Sequence, residues 1–145
     1  MTFPRELIEQ IKRQEGFRAE AYMDHGSLSI GYGCKPAFPG QVITEADATV
    51  LLVEKLRQCD AEIRAALSWV SSLPLIGYCV LLNMAYNMGV GGLMEFRKML
   101  AACKVGDWNE AARQMMDSLW AKEVKGRAVE LEEQMRTGHW FNPEA

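Results

Sequence analysis

The chain has 145 residues, 49% of them hydrophobic and 24% charged, with only five prolines, which excludes disordered and collagen-like classes. A body of this size removes about 70% of its unfolded surface from water and needs no disulfide or metal to hold it together. Sixteen Lys and Arg against nineteen Asp and Glu give a net charge of -3 with the signs interspersed, which argues against a basic nucleic-acid footprint.

The first fifteen residues mix charged and apolar side chains without the apolar run that a cleavable secretory signal needs. Thr2 and Pro4 read as an N-cap and first-turn pair, Leu7, Ile8 and Ile11 recur at helical spacing, and Gly16 stops the run. A helix ending at Glu15 is predicted. From Phe17 to Gly33 the period changes to two: Phe17, Ala19, Ala21 and Met23, then Leu28, Ile30 and Tyr32, with Asp24, His25, Gly26 and Ser27 as turn chemistry between them. This is the pattern of a β-hairpin. Residues 34–42, with two prolines and Gly40, read as loop. Thr44 and Asp47 resemble a capping box ahead of Leu51, Leu52, Leu56, Ile63 and Leu67, a helix of roughly 22 residues.

From Ala65 to Met94 no residue is charged, a stretch long enough in principle to cross a bilayer. Ser71, Ser72, Pro74, Gly77, Asn83, Asn87 and the glycines at 89, 91 and 92 interrupt it, so a central helix buried on all faces is expected instead, ended by the glycines. A short helix through Phe96, Met99 and Leu100 follows, and Asp107 with Glu110 opens another that carries Ala111, Met115, Leu119 and Trp120. A last helix runs from about Arg127 to Arg136 before Gly138, and residues 139–145 read as loop. The expected class is α+β, mainly α. One domain spans 1–145, with a hairpin lobe at about 15–42, a connecting helix at about 44–67, and a helical lobe at about 68–145 joined by the N-terminal helix.

Cys34, Cys59, Cys79 and Cys103 are far apart, with no CxxC pair and only His25 and His139 as further soft ligands. No metal site is read, and buried thiols in a reducing compartment are expected.

Chemistry concentrates near the hairpin. Glu15 ends a helix, Asp24 follows nine residues later in the turn, and Ser29 stands on the second strand. Ser29, Gly31 and Gly33 alternate with Leu28, Ile30 and Tyr32, so the hydroxyl should face away from the apolar set, on a strand face kept small by glycines. A polysaccharide could lie against such a face, because glycoside cleavage asks for one protonated carboxyl at the leaving oxygen and one ionised carboxyl across the ring. Taken singly, the three residues also read as a solvated helix end, a turn former and an exposed strand residue.

The strings Glu15-Gly16-Phe17, Ala21-Tyr22-Met23-Asp24 and Ser29-Ile30-Gly31-Tyr32-Gly33 together resemble the active-site segment of phage-type lysozymes, glycoside hydrolase family 24, of the T-even type. The likeness continues through Ile43-Thr44, Asn83-Met84-Ala85-Tyr86-Asn87-Met88-Gly89, Trp120, Arg127-Ala128 and Arg136-Thr137-Gly138-His139-Trp140. It implies a lysozyme-like fold and an inverting muramidase, cutting the β-1,4 bond between N-acetylmuramic acid and N-acetylglucosamine without metal or cofactor. Carried over by residue, Glu15 is the general acid, Asp24 the carboxylate that activates water, and Ser29 the hydroxyl that holds it. Arg127 matches an arginine that pairs with the catalytic glutamate, while Tyr32, Tyr86, Asn87 and Gly89 fall at positions that contact sugar.

The implied role is that of an endolysin, a monomer held in the host bacterial cytoplasm until a holin releases it, with peptidoglycan glycan strands as partner and neither nucleic acid nor stable membrane insertion involved. A lytic transglycosylase that uses Glu15 alone, or a wall-binding domain without catalysis, are the alternatives. Three features depart from the family pattern: serine in place of threonine at 29, a turn shorter by one residue between Asp24 and Ser29, and Cys34 in place of a histidine. The loop before the long helix is also brief, and the acidic balance is unusual for enzymes that seek anionic walls.

Overall fold

The chain breaks into elements where its hydrophobic period changes. A computed structural model describes residues 1–144; residues 139–144 carry neither helix nor strand, and Ala145 of the expected tail lies outside the described residues. In chain order the elements are α1 (Arg5–Glu15), β1 (Arg18–Asp24), β2 (Ser27–Gly31), α2 (Glu45–Ala66), a 3-10 turn (Ser68–Ser72), α3 (Leu75–Met94), α4 (Arg97–Lys104), α5 (Trp108–Met116), α6 (Leu119–Val124) and α7 (Gly126–Thr137). The class is α+β, mainly α, with a lysozyme-like mix of helices and one small antiparallel sheet. Two compact units divide the chain, Met1–Gln58 and the residues from Cys59 onward, with the boundary inside α2.

In the first unit α1 buries Leu7, Gln10 and Ile11 along one face. Its N-cap is Pro4, not Thr2, and no side chain caps it. The fixed φ of Pro4 presets the extended entry, and its carbonyl accepts from Leu7 N–H at 3.1 Å. β1 and β2 pair antiparallel, Tyr22 opposite Ser29, Met23 opposite Leu28 and Asp24 opposite Ser27. His25 and Gly26 close the hairpin with φ of 48° and 82°, the two positive values that a type I′ turn demands.

Two expectations for this unit need correction. The register shifts between Arg18 and Tyr22, so the apolar alternation read through Phe17, Ala19, Ala21 and Met23 does not form one buried face, and Met23 is 66% exposed. β2 ends at Gly31, two residues before the predicted limit. Ile30 and Cys34 exchange backbone hydrogen bonds of 2.8 and 2.9 Å around a tight turn, with φ of 65° at Gly31 and 74° at Gly33. The segment read wholly as loop also contributes a bridge, Glu20 to Val42, beside β1. α2 opens on Thr44, whose Oγ1 accepts from Asp47 N–H at 3.1 Å, and runs for 22 residues.

In the second unit α3 is buried at every position from Gly77 to Tyr86, as an uncharged helix covered on all faces must be. No helix among the described residues is long and apolar enough to cross a membrane. Gly89, at φ 82° and ψ 157°, breaks the helix, which resumes for a further turn to Met94. The helix predicted to run through Met115, Leu119 and Trp120 is two, because Ser118 Oγ accepts from Ala121 N–H at 3.1 Å and starts α6. α5 packs on α4 and α7, and α7 on α3. Among the polar groups inside, Asp60 accepts from Tyr78 Oη at 2.5 Å and from Arg64 Nε at 2.7 Å. All four cysteines are buried and none is in a disulfide. Burial pushes the Cys103 thiol up to about 12.

Candidate active site

Glu15 is the last residue of α1, with Gly16 turning the chain away at φ 74°. A helix C-terminus is electrostatically the wrong end for a carboxylate, so helix stability does not explain this residue. Its Oε1 lies so close to Gly33 that a Cβ built there would stand 2.6 Å from it. The glycine thus serves both the positive φ of its turn and the approach of the carboxylate. Gly33 is held in turn by Lys55, whose Nζ donates to its carbonyl at 3.0 Å.

The regular part of the hairpin supplies the rest. Side chains alternate across a strand, so the observed register puts Tyr22 and Asp24 of β1 on the same face as Ser27 and Ser29 of β2. Asp24 keeps 48% of its side chain exposed, with the ring of His25 at 3.4 Å. Ser29 faces away from buried Ile30, as its alternation with the apolar residues requires.

Tyr22 ties these groups together. Its phenol is raised from its ordinary value, first by burial, then by the charges of Asp24 and Glu15, while the charge of Arg18 and a hydrogen bond with Ser29 act in the opposite direction. The Arg18 guanidinium sits 4.4 Å from the Tyr22 ring centroid. Tyr22 thus shares its hairpin face with Asp24 and Ser29, although sequence reasoning gave it no role. The available signal was its i, i+2 relation to Asp24 on a strand.

The face is not opened by both glycines, as had been expected. A Cβ at Gly31 would meet the Ala48 Cβ at 3.0 Å and Ile43 Cδ1 at 3.2 Å, so Gly31 is packed inward and clears no room for ligand. Tyr32 is also a correction. It is 3% exposed, donates to Glu45 Oε1 at 2.8 Å, and stacks obliquely on Phe17 at 5.7 Å, which makes it part of the packing beneath the site. Burial, with the Glu45 carboxylate beside it, pushes its phenol up to about 12.

The remaining expected residues lie in the second unit. Tyr86 is 1% exposed and cannot touch a sugar with its ring, being one of the successive core positions of α3. Asn87 is exposed, and its Oδ1 accepts from Trp120 Nε1 at 2.7 Å. Gly89 supplies the break just beyond it. Arg127, at the start of α7, donates from Nε to Asn83 Oδ1 at 3.0 Å. Beside Trp120 a groove of about 590 Å³ is lined by Met88, Phe96, Met99, Glu95, Lys98 and Asp117 among others, with Phe96 edge-on to Trp120 at 6.0 Å. Among the described residues no group of three or more His, Cys, Asp or Glu could hold a metal ion.

A family model described as phage lysozyme matches residues 12–136, which include Glu15, Asp24, Ser29 and Arg127. The chain belongs to the phage lysozyme family. It is also similar to the pre-baseplate central spike protein Gp5 of Enterobacteria phage T4, at 30% identity over 161 aligned positions that cover 92% of this chain and 28% of that protein. The chain thus spans less than a third of that relative's length. The alignment is longer than the chain itself, so the relative carries residues with no counterpart here.

Proposed function

We propose that the chain is an inverting N-acetylmuramidase acting in host lysis. Glu15 donates its proton to the glycosidic oxygen as the bond to the muramic acid anomeric carbon breaks. Water adds to that carbon from the opposite face, and its proton passes to Asp24. Ser29 accepts a hydrogen bond from the same water and holds it in line. No cofactor enters these steps.

The observation that carries this reading is the register that puts Asp24 and Ser29 on one face of the hairpin, with the Glu15 carboxylate seated against Gly33 in the turn that follows β2. Two carboxyls and a hydroxyl around one small surface are the parts an inverting glycosidase needs, and they come from a helix end and a hairpin, elements that hold them rigidly.

The test is incubation with purified peptidoglycan and analysis of the new chain ends. Reducing muramic acid ends, formed with inverted anomeric configuration, are expected. Ends of the 1,6-anhydro type identify a transglycosylase, a retained anomer removes the direct attack of water, and no new ends at all leave a binding domain.

A further inference from the structure

The role inferred for Lys55 deepens the muramidase reading and rests on it. Glu45, Ala48, Leu52 and Lys55 recur at helical spacing along one face of α2. Three of them meet the turn that follows β2. Glu45 Oε1 accepts from the Tyr32 hydroxyl at 2.8 Å, a Cβ at Gly31 would stand 3.0 Å from that of Ala48, and Lys55 Nζ donates to the Gly33 carbonyl at 3.0 Å. Leu52 is fully buried, and packing alone would favour another apolar residue one turn on, since ordering the long stem of a lysine costs more rotamer freedom. Gly33 is where a hold is needed. At φ 74° it sits in a conformation that glycine enters and leaves easily, and the Glu15 carboxylate rests against it, with Oε1 2.6 Å from where a Cβ would stand. The peptide unit that follows Gly33 is bonded at both ends. Its carbonyl accepts from Lys55, and its N–H, that of Cys34, donates to the Ile30 carbonyl at 2.9 Å. The unit cannot turn over without breaking both bonds, one of them charge-assisted.

We propose that Lys55 is a positioning residue for the general acid: its ammonium holds the Gly33 carbonyl, fixes the turn against which the Glu15 carboxyl is seated, and so presents the acid proton in one place to the glycosidic oxygen. Lys55 itself neither touches the sugar nor gives up a proton in the reaction. Without it the peptide after Gly33 is tied to Ile30 alone, and the carboxyl spends less of its time where proton transfer is productive.

Lys55→Met keeps most of the stem and removes the donor. On soluble, uncross-linked glycan strands, counted per folded molecule, it should lower kcat about 10-fold with KM within about 2-fold. A purely structural role would reduce the folded fraction and leave kcat per folded molecule alone. A readout that needs no activity is hydrogen exchange at the Cys34 amide. In the parent it should run about 100-fold or more slower than in the unfolded chain, and in Lys55→Met about 10-fold faster than in the parent. Parent-like kcat in Lys55→Met, or a raised KM at unchanged kcat, overturns the proposal and leaves the muramidase reading intact. So does a Cys34 amide that exchanges freely in the parent, a measurement that does not depend on the variant folding, or one that exchanges equally fast in both proteins. A parent inactive on glycan strands overturns the muramidase reading and this role with it.

Discussion

The hairpin of the first unit and the core of the second treat polar side chains in opposite ways. At the hairpin they are left open: Asp24 is about half exposed, Ser29 and Tyr22 are only partly covered, and the backbone around them bends through Gly16, His25, Gly26, Gly31 and Gly33, all at positive φ. In the unit from Cys59 onward Asn83 and Asp60 are drawn inward and bonded, Asn83 to Arg127 and Asp60 to Tyr78 and Arg64. Burying such groups is tolerable only when each is bonded. The contrast teaches that chemistry and stability rest on different residues, so substitutions should separate them.

Glu15→Gln gives the sharpest separation. Loss of a general acid costs about 10²–10⁴-fold in rate. The carboxylate lies at the unfavourable end of α1, so the melting temperature should equal or exceed that of the parent. Wall-lysis assays beside thermal melts check both halves, and retention of more than about a tenth of the activity would end the assignment of Glu15 as acid.

Leu82→Ala should do the reverse. Leu82 is fully buried in α3, and truncation there should cost about 2–5 kcal/mol, read by denaturant unfolding, while activity per folded molecule is kept. A loss of turnover larger than the loss of folded protein would mean that the second unit carries chemistry beyond its core.

How much of this was legible in the sequence depends on whether the cause was local. α2 could be read to its full length because a threonine cap and a helical apolar repeat lie within the segment itself. The hairpin tip could be read because His25-Gly26 is turn chemistry. The shift between Arg18 and Tyr22 could not, since a bulge is defined by the partner strand. The start of α6 was missed although Ser118 was visible, because Ala111, Met115 and Leu119 keep helical spacing across the break. At the site, Glu15, Asp24 and Ser29 stood out as chemistry-bearing types. Tyr22 did not, because a tyrosine in a strand is an ordinary residue until its cross-strand neighbour is known.

Gly33→Ala should cross the divide and damage both properties. An alanine at φ 74° costs about 1–2 kcal/mol, and its Cβ would stand 2.6 Å from Glu15 Oε1, closer than the two atoms can approach. The carboxylate must then move, and displacement of a reacting group by about 1 Å costs up to about 10²-fold. Unfolding curves together with turnover on glycan strands would show the paired losses. A destabilised variant of normal specific activity would mean that the contact between Gly33 and Glu15 has no part in placing the acid.

Met23→Thr should affect neither. Met23 is flanked by Tyr22 and Asp24, so strand alternation turns its side chain to the other side of the hairpin, where it is 66% exposed. Little apolar area is lost on substitution, and threonine suits a strand at least as well, so stability should stay within about 0.5 kcal/mol of the parent. Turnover should match the parent because the side chain stands on the face opposite Asp24 and Ser29. The substitution is therefore a direct test of the register. If the pairing slipped by one residue, position 23 would share a face with Ser29, Asp24 would point away, and Met23→Thr would alter the rate.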